Sequence, residues 1–207
     1  MTPSPSLLRA CGLVGLVGAI FPIFADIVSW LLVSGYSPTA NSISALAVGN
    51  SSWLIDLGLW AFVVSCVAVA VGLWSWGVRA KWWTPAIASL ILLAVCVGII
   101  TRVNQYAGTQ NPGANVHMWA VWGVGLFFLL TAWLVVPGLR TVSPWLAWLS
   151  VVVGALWLVG TPIYWFAVPP GWSGAAERLL AFLMLLWLGT MAWRLRHSGG
   201  RAAVRAG

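Results

Sequence analysis

Acidic side chains are almost missing from this chain: Asp26, Asp56 and Glu177 are the only three in 207 residues. Charged residues of both signs make up 6%, against about a quarter in a soluble domain. That scarcity excludes an ordinary water-soluble fold. Histidine is as rare, with only His117 and His197, so a pair of haem ligands inside a membrane cannot be assembled. A zinc site, which needs three or four His, Cys or acidic ligands, fails for the same reason. Cys11, Cys66 and Cys96 fall in apolar runs at no paired spacing, which argues against a disulfide framework and for small packing residues. There is no Gly-x-Ser-x-Gly elbow and no phosphate-cradling Gly-rich Lys loop. No cofactor is expected.

What the chain has instead is apolar length. Hydrophobic residues make up 61% and come in blocks able to cross a hydrocarbon core, which takes roughly 20 residues of helix. Strands of an outer-membrane barrel would alternate apolar and polar over about 10 residues, and these blocks do not. Six spans are predicted, over about 8–33, 53–76, 84–100, 116–136, 145–166 and 175–195. The fold class is therefore all-α, a six-helix membrane bundle. Arg9 precedes an apolar stretch too long for a signal h-region, so the first span is expected to stay in the mature protein.

The net charge of +7 comes from cations at helix ends and in the tail, a membrane-topology pattern and not a nucleic-acid footprint. With the N-terminus inside, the cytoplasmic side carries Arg9, Arg79, Lys81, Arg140, Arg194, Arg196, Arg201 and Arg205, and the other side only Arg102 and Arg178. Excess Lys and Arg mark the cytoplasmic face. A multi-pass cell-membrane protein with both termini inside is expected, as one domain over 1–195 with a basic, disordered tail over 196–207. The loops near 79–83 and 138–143 are short and basic, and the outer ones, 35–52, 101–115 and 167–174, are longer. In the first outer loop Ser37 is placed to cap a short interfacial helix, with Pro38 at its first position and an end near Gly49 and Asn50.

Of the seventeen Trp residues, Trp53, Trp76, Trp82, Trp83, Trp145, Trp172 and Trp193 sit where an interfacial belt would place them. Trp60, Trp157 and Trp187 lie deeper. They serve either as packing and lipid-facing aromatics or as the walls of a cation-stabilising cavity.

Polar residues collect toward the outer side. Asp26, Asp56, Arg102, His117, Tyr164, Glu177 and Arg178 come from the six spans, one or two from each. A charge at mid-bilayer costs about 2.5–3.5 kcal/mol on insertion scales, so it faces a partner or a watery cavity. Two readings follow. Asp26 and Asp56 pair with Arg102 and Arg178 as ion pairs that fix helix register, with Glu177 favoured simply by the helix dipole in a first turn. Alternatively these residues line a pocket in which Asp26, Asp56, His117 and Glu177 exchange protons as catalytic groups. Asn41, Ser42, Ser44, Trp60, Arg102, Tyr164 and Arg178 would then bind the ligand, although Ser42 and Ser44 also suit capping of the loop helix.

Tyr36 is followed by Asn41-Ser42-Ile43-Ser44-Ala45-Leu46-Ala47-Val48-Gly49, which leads straight into the second span. His117 heads the fourth span, and Glu177-Arg178 opens a last span that contains Trp187 and ends in basic residues. In these features, over most of its length, the chain resembles a prokaryotic family of small six-span membrane proteins labelled domain of unknown function 998. The resemblance implies the six-span fold and the outer first loop, and brings no established activity. Ala45 stands where an acidic residue is expected in many relatives, so any role for a carboxylate there is absent or has passed to Asp56.

The functional expectation is a membrane protein whose outer pocket binds a lipid or other amphiphile, or supports a membrane complex. Arginines would hold a headgroup and Trp-rich walls an acyl or isoprenoid chain. The alternative is an intramembrane enzyme of cyclase or isomerase type, using Asp26 or Asp56 with His117 on an isoprenoid. A proton-coupled carrier is weakened by the lack of a repeat.

Overall fold

A computed structural model describes residues 4–48 and 52–204, with side chains described as far as Ser198. Seven α-helices account for most of these residues: α1 (Pro5–Leu32), α2 (Ser52–Ser75), α3 (Trp83–Val103), α4 (Pro112–Leu134), α5 (Val136–Val142), α6 (Pro144–Phe166) and α7 (Ser173–Val204). All but α5 are long and apolar enough to cross a membrane, which makes six candidate spans. Local chemistry sets several boundaries. Pro5, Pro112 and Pro144 open their helices, where a missing N–H costs nothing. The Asn111 side chain accepts from Gly113 N–H at 2.8 Å as the N-cap of α4. Gly35, at φ +75°, turns the chain just after α1 in a conformation that favours glycine.

The helices pack in two groups. α1 lies against both α2 and α7, α3 lies against α4, and α2 joins the groups through α3. α6 meets α4 and α7 more sparsely. Glycine makes the close crossings: a Cβ on Gly12 would stand 2.5 Å from the Arg196 backbone N, and one on Gly58 2.8 Å from the Ala25 Cβ. Lipid tails give helices no hydrophobic reason to associate, so small residues that allow backbone approach drive such contacts. Toward the end away from the first loop, Phe128 meets Trp157 edge-on at 5.0 Å and Trp187 at 6.0 Å. The Trp187 indole donates to Ser150 Oγ at 2.9 Å, which satisfies its one polar atom.

Four local expectations are corrected. The segment read as a short basic loop over 138–143 is helical as far as Val142, the greater part of α5. Ser37 and Pro38 do not begin the loop helix: they form a turn in which Ala40 and Asn41 N–H bond back to the Ser37 carbonyl, and a five-residue 3₁₀ helix follows at Ile43–Ala47. Its expected end at Gly49 and Asn50 lies outside the described residues. Trp83 is not a lipid-facing belt residue but is 4% exposed, its indole N–H donating at 3.1 Å to the Leu73 carbonyl near the end of α2, which also accepts from the Trp76 N–H. α7 starts at Ser173, so Glu177 lies beyond the first turn and the dipole argument for it does not apply. The basic stretch after residue 195 continues the α7 backbone to Val204.

The first loop is seated on the bundle. Leu46 and Ala47 are buried with Ile55 of α2, and Trp30, Val33, Tyr36, Ile43 and Leu59 pack around them.

Candidate functional site

Beneath that loop is a cavity of about 800 Å³ to which all six long helices contribute. Its walls are graded. The deep part is formed by residues such as Phe62, Leu129, Trp157 and Leu185, and the polar residues Asp26, Ser42, Ser44, Asn104, His117, Thr161, Tyr164, Glu177 and Arg178 lie toward the loop end. Pro22 in α1 and Pro162 in α6 also line it. Each lacks the N–H that would close a helical turn, so α1 and α6, continuous through these positions, each miss one backbone hydrogen bond at cavity level.

Arg178 organises the loop end. Its Nε and Nη2 donate to the two oxygens of Asp26, each at 2.8 Å, the fork-on-carboxylate geometry in which arginine pairs best. Nη2 also donates to the Tyr36 hydroxyl at 2.6 Å. Nη1 donates to the carbonyls of Pro38 at 2.8 Å, Asn41 at 3.0 Å and Gly174 at 3.2 Å. A guanidinium has five N–H groups, and here all are engaged. The Trp30 and Tyr36 rings lie 5.7 and 5.6 Å from its centre. In turn the Tyr36 hydroxyl donates toward the carbonyls of Asn41 and Ser42. Burial pushes the Tyr36 phenol above its ordinary pKa, against the opposing pull of Arg178, so it remains a donor at neutral pH. The α7 start completes the attachment: Ser173 Oγ donates to Ala40 O at 2.8 Å and Ala175 N–H to Thr39 O at 2.9 Å. Gly174 is required there, since a Cβ would collide with the Asn41 carbonyl.

Glu177 has a split role. Its Oε2 accepts from the Ile43 N–H at 2.9 Å and so caps the 3₁₀ helix from across the molecule. The Ser42 hydroxyl does not cap that helix and instead pairs with Ser44 Oγ at 3.1 Å. The other Glu177 oxygen has no hydrogen-bond partner among the described residues. Tyr164 on α6 is its electrostatic neighbour, and that hydroxyl is also unpartnered. His117 is 8% exposed, and neither ring nitrogen finds a partner among the described residues. Asn104 Oδ1 and Thr161 Oγ1 are buried without one. Unpaired polar atoms cost free energy in a dry interior; Asn104, His117 and Thr161 bring theirs to this cavity, whereas Ser29 and Asp56, also with a buried unpaired oxygen, lie off its wall.

Of the residues singled out by sequence, Asp26, Ser42, Ser44, His117, Tyr164, Glu177 and Arg178 share this wall. Asp56, Asn41, Trp60 and Arg102 do not. Asp56 sits behind the wall beside the Asn104 side chain, and Asn41 belongs to the loop, its Oδ1 accepting from Ser37 N–H. The expected pairing of two acids with two arginines is half realised. Asp26 with Arg178 is the ion pair among the described residues, whereas Arg102 lies over the Trp60 ring at 5.6 Å. Trp30, Asn104 and Thr161 were not anticipated. Nothing in their spacing separates them from the other tryptophans and hydroxyls of an apolar chain.

Six helices long and apolar enough to cross a bilayer define a multi-pass membrane protein, with a cavity among them whose polar end lies under the first loop. The family model described as Protein of unknown function (DUF998) matches residues 16–194, from α1 through α7, and the chain belongs to that family. No curated protein and no solved structure matches it.

Proposed function

We propose that the protein binds an amphiphile drawn from the surrounding bilayer, its chain against the apolar walls and its polar end beneath the first loop. The gradation of the cavity carries this reading. Small-molecule sites are mostly apolar concavities of about 300–1,000 Å³ with a few convergent polar groups, and this cavity has that size and make-up. The excess of cations at the other end of the bundle supports a loop facing away from the cytoplasm, with both termini inside a cell membrane. Mass spectrometry of lipid retained by detergent-solubilised protein tests the proposal, with Ala181→Phe to fill the cavity. Ala181 lines it from α7. One species enriched over the bulk membrane and lost from the variant is expected. The same lipid profile in a normally folded variant would sink the idea.

One observation favours an enzymatic reading beside it. Glu177 retains an unpartnered carboxylate oxygen next to Tyr164 on the cavity wall, where a positioned acid can protonate a bound isoprenoid. Asp26, fastened to Arg178, suits that role less well. Conversion of an added isoprenoid by the native chain and not by Glu177→Gln supports this reading; unchanged substrate with both removes it.

A further inference from the structure

We infer that the polar end of the bound amphiphile is cationic, an ammonium-type head seated against Glu177. This rests on the reading of the cavity as an amphiphile site and adds the chemistry of the head. An anionic head has nothing to hold it. Arg178 has spent all five donors on Asp26, Tyr36 and three carbonyls, and Arg102 is not part of the wall. Such a head would also meet two carboxylates, Asp26 and Glu177, on the same wall.

The charges on that wall do not balance. Asp26 and Arg178 neutralise one another, which leaves Glu177 with one oxygen on a backbone N–H and the other unpartnered. His117, the remaining basic group on the wall, makes no ion pair with either acid. A carboxylate in apolar surroundings without a counterion is costly, and a neutral head would leave it so. A cation supplies the missing partner. Aromatic rings stand where they would assist: Tyr164 beside Glu177, and Trp165 and Trp122 stacked at 5.5 Å, all three on the cavity wall. Ring faces attract ammonium groups, most strongly when water is excluded.

Three probes with one chain and different heads isolate the claim: dodecyltrimethylammonium, dodecanol and dodecyl phosphate. Each is titrated below its micellar concentration into the full chain in nanodiscs, and binding is read by native mass spectrometry. The expected result is retention of the ammonium probe about tenfold above both others. Glu177→Gln, whose amide oxygen still accepts from Ile43 N–H, brings the three probes level. Should that variant fold poorly, Trp122→Leu weakens ammonium binding alone, by about fivefold. Dodecanol or dodecyl phosphate binding as tightly as the ammonium overturns the head chemistry and leaves the amphiphile site standing. An ammonium preference that survives both substitutions overturns the assignment to this wall. Failure of all three probes to bind overturns the site itself.

Discussion

At the residue scale the molecule turns on how Arg178 is used. A lysine at that position keeps the charge but lacks the planar fork that meets both Asp26 oxygens while reaching Tyr36 and the loop carbonyls. Arg178→Lys is expected to lower stability by about 3 kcal/mol, the cost of leaving a largely buried ion pair poorly satisfied. It should also make the 36–48 segment a site of limited proteolysis; a variant that melts and digests like the native chain would contradict this. Tyr36 gives the same junction a dependence on pH. Its phenol is raised above the ordinary value of 10.0 by burial, so its contribution is fully present below that pH and is lost as pH climbs through the folded value. Thermal melts taken from pH 8 to pH 11 should show an alkaline loss of stability that is smaller in Tyr36→Phe. Much of this junction was legible in the sequence, because Asp26, Glu177 and Arg178 are rare charges in an apolar chain. Their division of labour was not. Spacing along the chain cannot reveal that Arg178 takes Asp26 and the loop carbonyls of Pro38 and Asn41 while Glu177 caps Ile43.

At the scale of elements the six spans were readable, their ends within about four residues except at the end of α7, since a block of about 20 apolar residues has few other fates. The short pieces were not. α5 (Val136–Val142) looked like a loop because Pro137, Gly138 and Arg140 carry turn and cation signals, and its helix is fixed by contact with α6. Trp83 looked interfacial by position and is instead packed against Trp76 and Gly138 with its N–H on the Leu73 carbonyl. Helix packing supplies its own prediction. Gly12 on α1 faces the α7 backbone, where a Cβ would stand within 2.7 Å of three main-chain atoms, while a Cβ on Gly98 of α3 would find only the Trp60 ring, at 3.9 Å. Gly12→Ala should therefore cost about 1–3 kcal/mol by overpacking and Gly98→Ala should cost nothing measurable. Equal melting temperatures for the two variants would refute the account of the α1–α7 crossing.

For the whole molecule, the charge asymmetry expects the loop between α3 and α4 outside and the α5 turn inside. Thr109→Cys, in a chain whose own cysteines are replaced by Ala, should react with a membrane-impermeant maleimide on intact cells. Thr141→Cys should react only after permeabilisation, and the opposite pattern would invert the bundle. The cavity was the least legible feature. It arises among all six long helices, where α6 meets α4 and α7 only sparsely, a tertiary gap that no hydropathy pattern encodes.

The saturation of Arg178 has a consequence for traffic. A cap tied to Arg178 through Tyr36 and the Pro38 and Asn41 carbonyls is not a gate, so on the proposed reading a guest does not come and go from the aqueous side. Several residues that bound the cavity also face the hydrocarbon, among them Trp122 at 52% exposure and Phe182 at 50%. For the proposed amphiphile, exchange would then run sideways, between helices and within the leaflet, at a rate that follows the fluidity of the lipid and not the concentration of anything in the medium.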